Sequence, residues 1–224
     1  METVAGHTIR NKRNLGHWDA LIEEWNLSIE RFSRITDGED VPYWYNERTN
    51  IGVLAAAAWR CGRIALEEFQ YEKIDVSSSG ETAETDQKKW IGRCDLWISN
   101  DRVEEIVEAK FKWLNMCSKQ IAELAIPCLD EAVSDAVKTK GYDEIKALGV
   151  AFLPVYAKSD KVGNHDALEK LISETITIIS ARKFPADLIA WNFPKRLRKH
   201  IGEKYNNYRL LDTSSGLRGR IWGM

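Results

Sequence analysis

Apolar residues recur at spacings of three and four over residues 15–35, where Trp18, Leu21, Ile22, Trp25, Ile29 and Phe32 mark one face of a helix. Asp37-Gly38 stops that helix, and Pro42 follows. Tyr43-Trp44-Tyr45 then reads as an aromatic loop, either packed on its own domain or free to stack on a partner. A second helix is predicted over residues 50–73, with an Ala run from Ala55 to Ala58 and Gly52 and Gly62 as its only breakers. Residues 74–77 read as a short strand, and residues 78–89 as a polar stretch. Strands are predicted over 90–99 and 103–113, and a long helix over 118–140 that Pro127 ends or kinks. A buried strand over 148–157, a helix over 165–181 and a strand over 187–191 complete the pattern. Helices and strands alternate, which predicts an α/β domain with a mixed sheet.

Composition narrows the class. The 224 residues are 44% hydrophobic and 29% charged, ordinary for a globular chain. At about 150 residues per domain they predict one domain, divided into an N-terminal helical extension (1–49), a core (50–194) and a basic C-terminal segment (195–224). No apolar run reaches the ~20 residues that span a bilayer, so no membrane partner is expected. The first residues, METVAGHTIRNKRN, carry no apolar core. The four cysteines form no Cys-x-x-Cys pair and the four histidines are scattered. A zinc site and a disulfide framework are both disfavoured, and a reducing, cytoplasmic setting is expected.

The formal net charge of −2 excludes a protein that coats nucleic acid with its whole surface. The charge is uneven, however. Residues 195–220 hold eight basic residues against Glu203 and Asp212, so that segment carries +6 and the remainder −8. Lys195, Arg196, Arg198 and Lys199 open it and are candidates for contacts to a phosphate backbone.

The candidate chemistry lies in residues 91–111. With Asn100-Asp101 as a two-residue hairpin turn, Asp95 falls opposite Ile106 and Arg93 opposite Glu108. Asp95, Glu108 and Lys110 then share one face of the sheet. The other face carries Cys94, Leu96, Ile98, Val103, Val107, Ala109 and Phe111, interrupted only by Glu105. A slip of one residue would destroy that segregation. The two carboxylates are offset by two positions, roughly 7 Å along a strand, and both can lean onto one cation. Carboxylates without histidine partners favour a hard cation such as Mg²⁺, with Mn²⁺ as substitute. Such an ion holds a phosphate oxygen and acidifies a water, while a nearby lysine offsets developing charge. Arg93 and Trp97 share the proposed active face; Trp97 either lines a cleft or covers the core.

Asp95, twelve intervening residues, then Glu108-Ala109-Lys110 resembles the PD-(D/E)XK nuclease superfamily. The Pro of that motif is absent, since Cys94 precedes Asp95. The resemblance covers about half the chain. It implies a restriction-endonuclease-like fold: a central mixed β-sheet flanked by helices, here with an N-terminal helix and a basic C-terminal tail. It implies a Mg²⁺-dependent nuclease acting on nucleic acid, DNA first, with Asp95 and Glu108 holding the metal and Lys110 orienting the water. It also implies a carboxylate on the preceding helix. Glu67 and Glu68 are the candidates. Glu67 has Arg63 at i−4 for a surface pair, whereas Glu68 continues the stripe Leu54, Ala58, Cys61, Ala65 and is the favoured third ligand. In some relatives a Gln-x-x-x-Tyr follows on the next helix. Gln120 matches its first position as a substrate contact, and Leu124 replaces the tyrosine. Double-strand cutting would suit a homodimer, with the Trp18/Trp25 helix as interface. The competing reading is an inactive nucleic-acid-binding or interaction module on the same fold.

Overall fold

A computed structural model describes residues 3–74, 89–139, 145–158, 162, 164–194 and 220–223. In chain order the elements are β1 (Val4–Ile9), α1 (Lys12–Leu15), α2 (Asp19–Ile35), α3 (Glu47–Arg60), β2 (Ile64–Ile74), β3 (Lys89–Ser99), β4 (Glu104–Phe111), β5 (Leu114–Asn115), α4 (Ile121–Thr139), β6 (Lys146–Phe152), β7 (Val155–Lys158), α5 (His165–Ile179), β8 (Leu188–Phe193) and β9 (Arg220–Gly223). Short 3₁₀ turns at Gly16–Trp18 and Pro42–Trp44 join them. The fold is mixed α/β, as the alternation predicts. Among the described residues no helix is long and apolar enough to cross a membrane.

The chain divides into two compact units that interleave in sequence. The first comprises residues 1–45, 112–126 and 153–224. In it β1 pairs antiparallel with β8, and β7 pairs with β5 in parallel and with β9 antiparallel. Helix α2 buries Leu21, Ile22, Trp25 and Ile29, with Trp18 beside them. Trp18 and Trp25 are 4% and 3% exposed, so the helix face proposed as a dimer interface instead lies in this unit's core. Tyr43 is fully buried, while Tyr45 is half exposed and donates its hydroxyl to Asp40. The N-terminal extension is not purely helical: Val4–Ile9 is a strand, missed because its six residues show no clear alternation. The strand predicted over 148–157 is two, β6 and β7. Leu153-Pro154 interrupts it, because proline cannot donate to a ladder.

The second unit, residues 46–111 and 127–152, holds the candidate chemistry. Its sheet has the order β2-β3-β4-β6, with β2, β3 and β4 antiparallel in turn and β6 parallel to β4. The predicted helix over 50–73 is corrected here, since α3 ends at Arg60. Gly62 adopts φ +79, its N–H bonds the Trp59 carbonyl, and the Arg63 N–H bonds Ala58. This is the Schellman stop that a left-handed glycine allows. The chain then enters β2, so Glu67 and Glu68 both lie on a strand.

The hairpin between β3 and β4 is also corrected. Ser99 pairs with Glu104 and Leu96 with Val107, leaving a four-residue loop, Asn100–Val103, instead of a two-residue turn. The Asn100 side chain accepts from the Arg102 and Val103 N–H groups, both at 2.9 Å, and this local turn supplies the longer loop. The shift is by two positions, so the alternation holds on β4 and on β3 from Leu96 onward; before Asp95 it fails, since the Cys94 thiol meets the Glu108 carboxylate it was expected to oppose across the sheet. Cys94, Leu96, Ile98, Val107 and Ala109 are buried as expected. The one interruption, Glu105, is fully buried beside the Arg63 guanidinium at 3.8 Å. In β6, Gly149 lies level with Glu108 and touches α4. A Cβ there would sit 2.4 Å from the Val133 backbone nitrogen, so only glycine lets the helix come this close.

Candidate active site

Asp95 sits where the β3–β4 ladder stops. One step beyond the Leu96–Val107 pair, its Oδ2 accepts the Ala109 backbone N–H at 2.7 Å. The side chain thus takes a donor that the ladder leaves over. On its other side the β2–β3 pairing skips Asp95 and Glu68 together. Glu68 has φ +57, a left-handed conformation costly for a side chain with a Cβ. This turns the pleat. Glu67 lies 3.7 Å from where a Gly52 Cβ would sit, and the Glu68 carboxylate lies 3.9 Å from Arg48 Nε, so two successive residues both reach α3. Strained non-glycine positions of this kind concentrate at functional sites.

A cleft of about 290 Å³ opens beside this kink, lined by Asn46, Glu47, Arg48, Ile51, Glu68, Arg93 and Asp95. Arg93, exposed at the rim, holds Glu68 at 2.7 Å. Glu68 is therefore not the helix carboxylate; it is a strand residue between two guanidinium groups. The acidic residue that α3 does bring here is Glu47, in the first turn behind the Asn46 cap, whose side chain accepts the Thr49 N–H at 2.9 Å. Burial raises the Glu47 carboxyl above its ordinary range, and the charge of Asp95 adds to the effect. Burial likewise raises Asp95; its bond from Ala109 opposes this and the Glu108 charge reinforces it. The two acids sense one another and lack a cation within ion-pair distance among the described residues. The sequence signal for Glu47 was an Asn cap followed by an acid, a common helix start that carries no functional mark by itself.

Glu108 and Lys110 are engaged elsewhere. Glu108 Oε1 accepts from Lys73 Nζ at 2.9 Å and from the Thr139 hydroxyl of α4 at 2.7 Å. Lys110 Nζ bonds Asp135 Oδ2 of α4 at 2.7 Å, and Lys138 Nζ bonds the other oxygen at 2.8 Å. Burial works against the Lys110 charge, but the Asp135 bond and the nearby acids outweigh it and hold the ammonium above its usual range. Asp135 is also partly buried, yet its two lysines hold its carboxyl below the usual range. Lys73, Asp135, Lys138 and Thr139 were invisible to sequence reasoning because each is far from the motif along the chain.

Several expected residues fall elsewhere. Gln120 is exposed just before α4, in the first unit. Lys195, Arg196, Arg198 and Lys199 lie outside the described residues. Trp97 donates its indole N–H to Glu104 at 2.7 Å.

The donors suit a hard divalent cation. They are carboxylates; the adjacent Cys94 thiol, pushed up to about 12 by burial and then by Glu108, stays protonated and offers no thiolate. As the side chains stand, no three acidic, histidine or cysteine groups converge closely enough to hold an ion among the described residues. Glu108 is held by Lys73 and Thr139. Compared with protein-family models, curated proteins and solved structures, the chain matches none.

Proposed function

We propose that this protein is a metal-dependent phosphodiesterase that hydrolyses nucleic acid, DNA foremost, on a restriction-endonuclease-like fold resembling the PD-(D/E)XK nucleases. The observation that carries this reading is the setting of Asp95. It hydrogen-bonds the backbone between Glu108 and Lys110 on the neighbouring strand, in a mixed sheet flanked by helices, and the preceding helix adds Glu47 beside it. Asp95, Glu108 and Glu47 are the residues that would hold Mg²⁺ or Mn²⁺. When bound, the ion polarises a phosphate oxygen and lowers the pKa of a water. Arg93, exposed at the cleft rim, would pair with a backbone phosphate. Lys110, kept charged and aimed by Asp135, offsets charge that builds on the phosphoryl group.

Purified protein should nick or degrade linear, circular or single-stranded DNA, or RNA, with Mg²⁺ or Mn²⁺ present. Asp95→Ala and Lys110→Ala should each lower cleavage at least about 100-fold, the low end of what a positioned catalytic group contributes. Full activity of Asp95→Ala would sink the assignment.

One observation favours a second reading. Glu108 and Lys110 are both neutralised internally, by Lys73 and Asp135. A site so closed on itself also suits an inactive nucleic-acid-binding module. Calorimetry separates the two: Mg²⁺ or Mn²⁺ binding that Asp95→Asn abolishes supports the enzyme.

A further inference from the structure

We propose that Lys73 is the resident counter-ion of this site: its ammonium holds the Glu108 carboxylate on the side of Thr139 and α4, and a divalent cation must displace it to bring Glu108 to Asp95. The inference rests on the metal-dependent reading above. The Lys73 and Glu108 side chains are 13% and 5% exposed, so bulk water stabilises either charge only weakly and each leans on the other. Lys73 comes from β2, two strands away from Glu108, and a place is kept for its stem. At Gly92 on the intervening strand, an added Cβ would lie 2.7 Å from Lys73 Cδ and 3.1 Å from Cε. The missing side chain of Gly92 is what lets the lysine lie across β3.

The single oxygen Oε1 of Glu108 takes both Lys73 and Thr139, so two partners hold this carboxylate in place. A buried carboxylate cannot serve an ammonium and a divalent ion at full strength, because the two cations repel across a short, poorly screened distance. Ion affinity and the Lys73–Glu108 contact are therefore linked, and each must weaken the other. Lys73 acts here as a positioning residue. Its removal leaves Glu108 free to swing and raises the negative charge of the site.

The test is Mn²⁺ calorimetry on the full chain as wild type, Lys73→Met and Lys73→Arg. Lys73→Met should bind Mn²⁺ roughly tenfold more tightly, within the usual range for coupled sites, and should be less stable without metal. Lys73→Arg should stay near wild type. A folded Lys73→Met that binds Mn²⁺ no more tightly than a metal-binding wild type overturns the inference and leaves the enzyme reading standing. Absence of binding in both proteins overturns the two together. If Lys73→Met does not fold, NMR of the wild type decides. The Lys73 ¹³Cε–¹Hε signal, identified by its loss in Lys73→Arg, should shift at saturating Mg²⁺. A signal that does not move contradicts displacement.

Discussion

Asp95 shows how one side chain can be structural and chemically poised at once. Its Oδ2 replaces a ladder partner for Ala109, and its burial outweighs the Ala109 bond and the charges of Lys110 and Lys73, so the carboxyl is raised. The pH dependence follows from the direction of its shift. A carboxyl raised in the folded state contributes stability below its unfolded pKa, and that contribution is lost as pH rises through the folded value. At neutral pH the ionised group is a cost. Asp95→Asn keeps an oxygen for the Ala109 N–H and removes the charge. Without metal it should be more stable than wild type near pH ~7, with the gap closing toward pH ~4, where the unfolded-state carboxyl takes up its proton. Urea unfolding across that range checks this, and a wild type equal to Asp95→Asn at pH ~7 argues against a carboxyl raised by burial. At this scale the sequence was informative about Asp95, Glu108 and Lys110 because strand alternation assigns faces from residue type alone. It was silent on their partners. Glu105, the single acid on an apolar face, drew attention in the sequence, but only the fold brings Arg63 beside it.

Among the elements, the strands of the motif were readable and the helix before them was not. An Ala run followed by Ile64-Ala65-Leu66-Glu67-Glu68 keeps high helix propensity, and local propensity extends the helix past its true stop. The Gly62 cap and pairing with β3 override it. This moved Glu68 from a helix to a kinked strand and passed the helix carboxylate to Glu47. The hairpin register was missed by two residues because the Asn100 turn competes with a tighter one; an even error keeps the alternation, which only the kink at Glu68 and Asp95 then breaks. Helix α4 positions Lys110 through Asp135, so its seating on β6 matters to the site. Gly149→Ala should push α4 off the sheet, lowering stability by about 1–3 kcal/mol, and should reduce cleavage more than exposed substitutions do. Unchanged unfolding and activity in that variant would contradict the close contact between Gly149 and the α4 backbone.

For the whole molecule, the proposed metal binding would make stability a reporter of ligand. An ion bound only by the folded chain should stabilise it by about 2.7 kcal/mol at a concentration 100 times its Kd. Thermal unfolding with and without Mg²⁺ should show this for the wild type and not for Asp95→Asn, so the stability order of the two proteins reverses when metal is added. No upward shift with either Mg²⁺ or Mn²⁺ counts against the enzyme. Residue order alone determined the α/β class, the alternation of β4 and of β3 from Leu96 onward, and the carboxylate–lysine motif. Each follows from periodicity of two or about 3.6, which is local and needs no knowledge of the rest of the chain. Tertiary structure alone decided where α3 ends, that Glu47 joins Asp95, and that Lys73, Thr139 and Asp135 occupy Glu108 and Lys110. Those are contacts between residues up to tens of positions apart. They are set by which strands pair, by how closely the α4 backbone can approach Gly149 and by the room that Gly92 leaves for the Lys73 side chain, and a one-dimensional pattern carries no record of them.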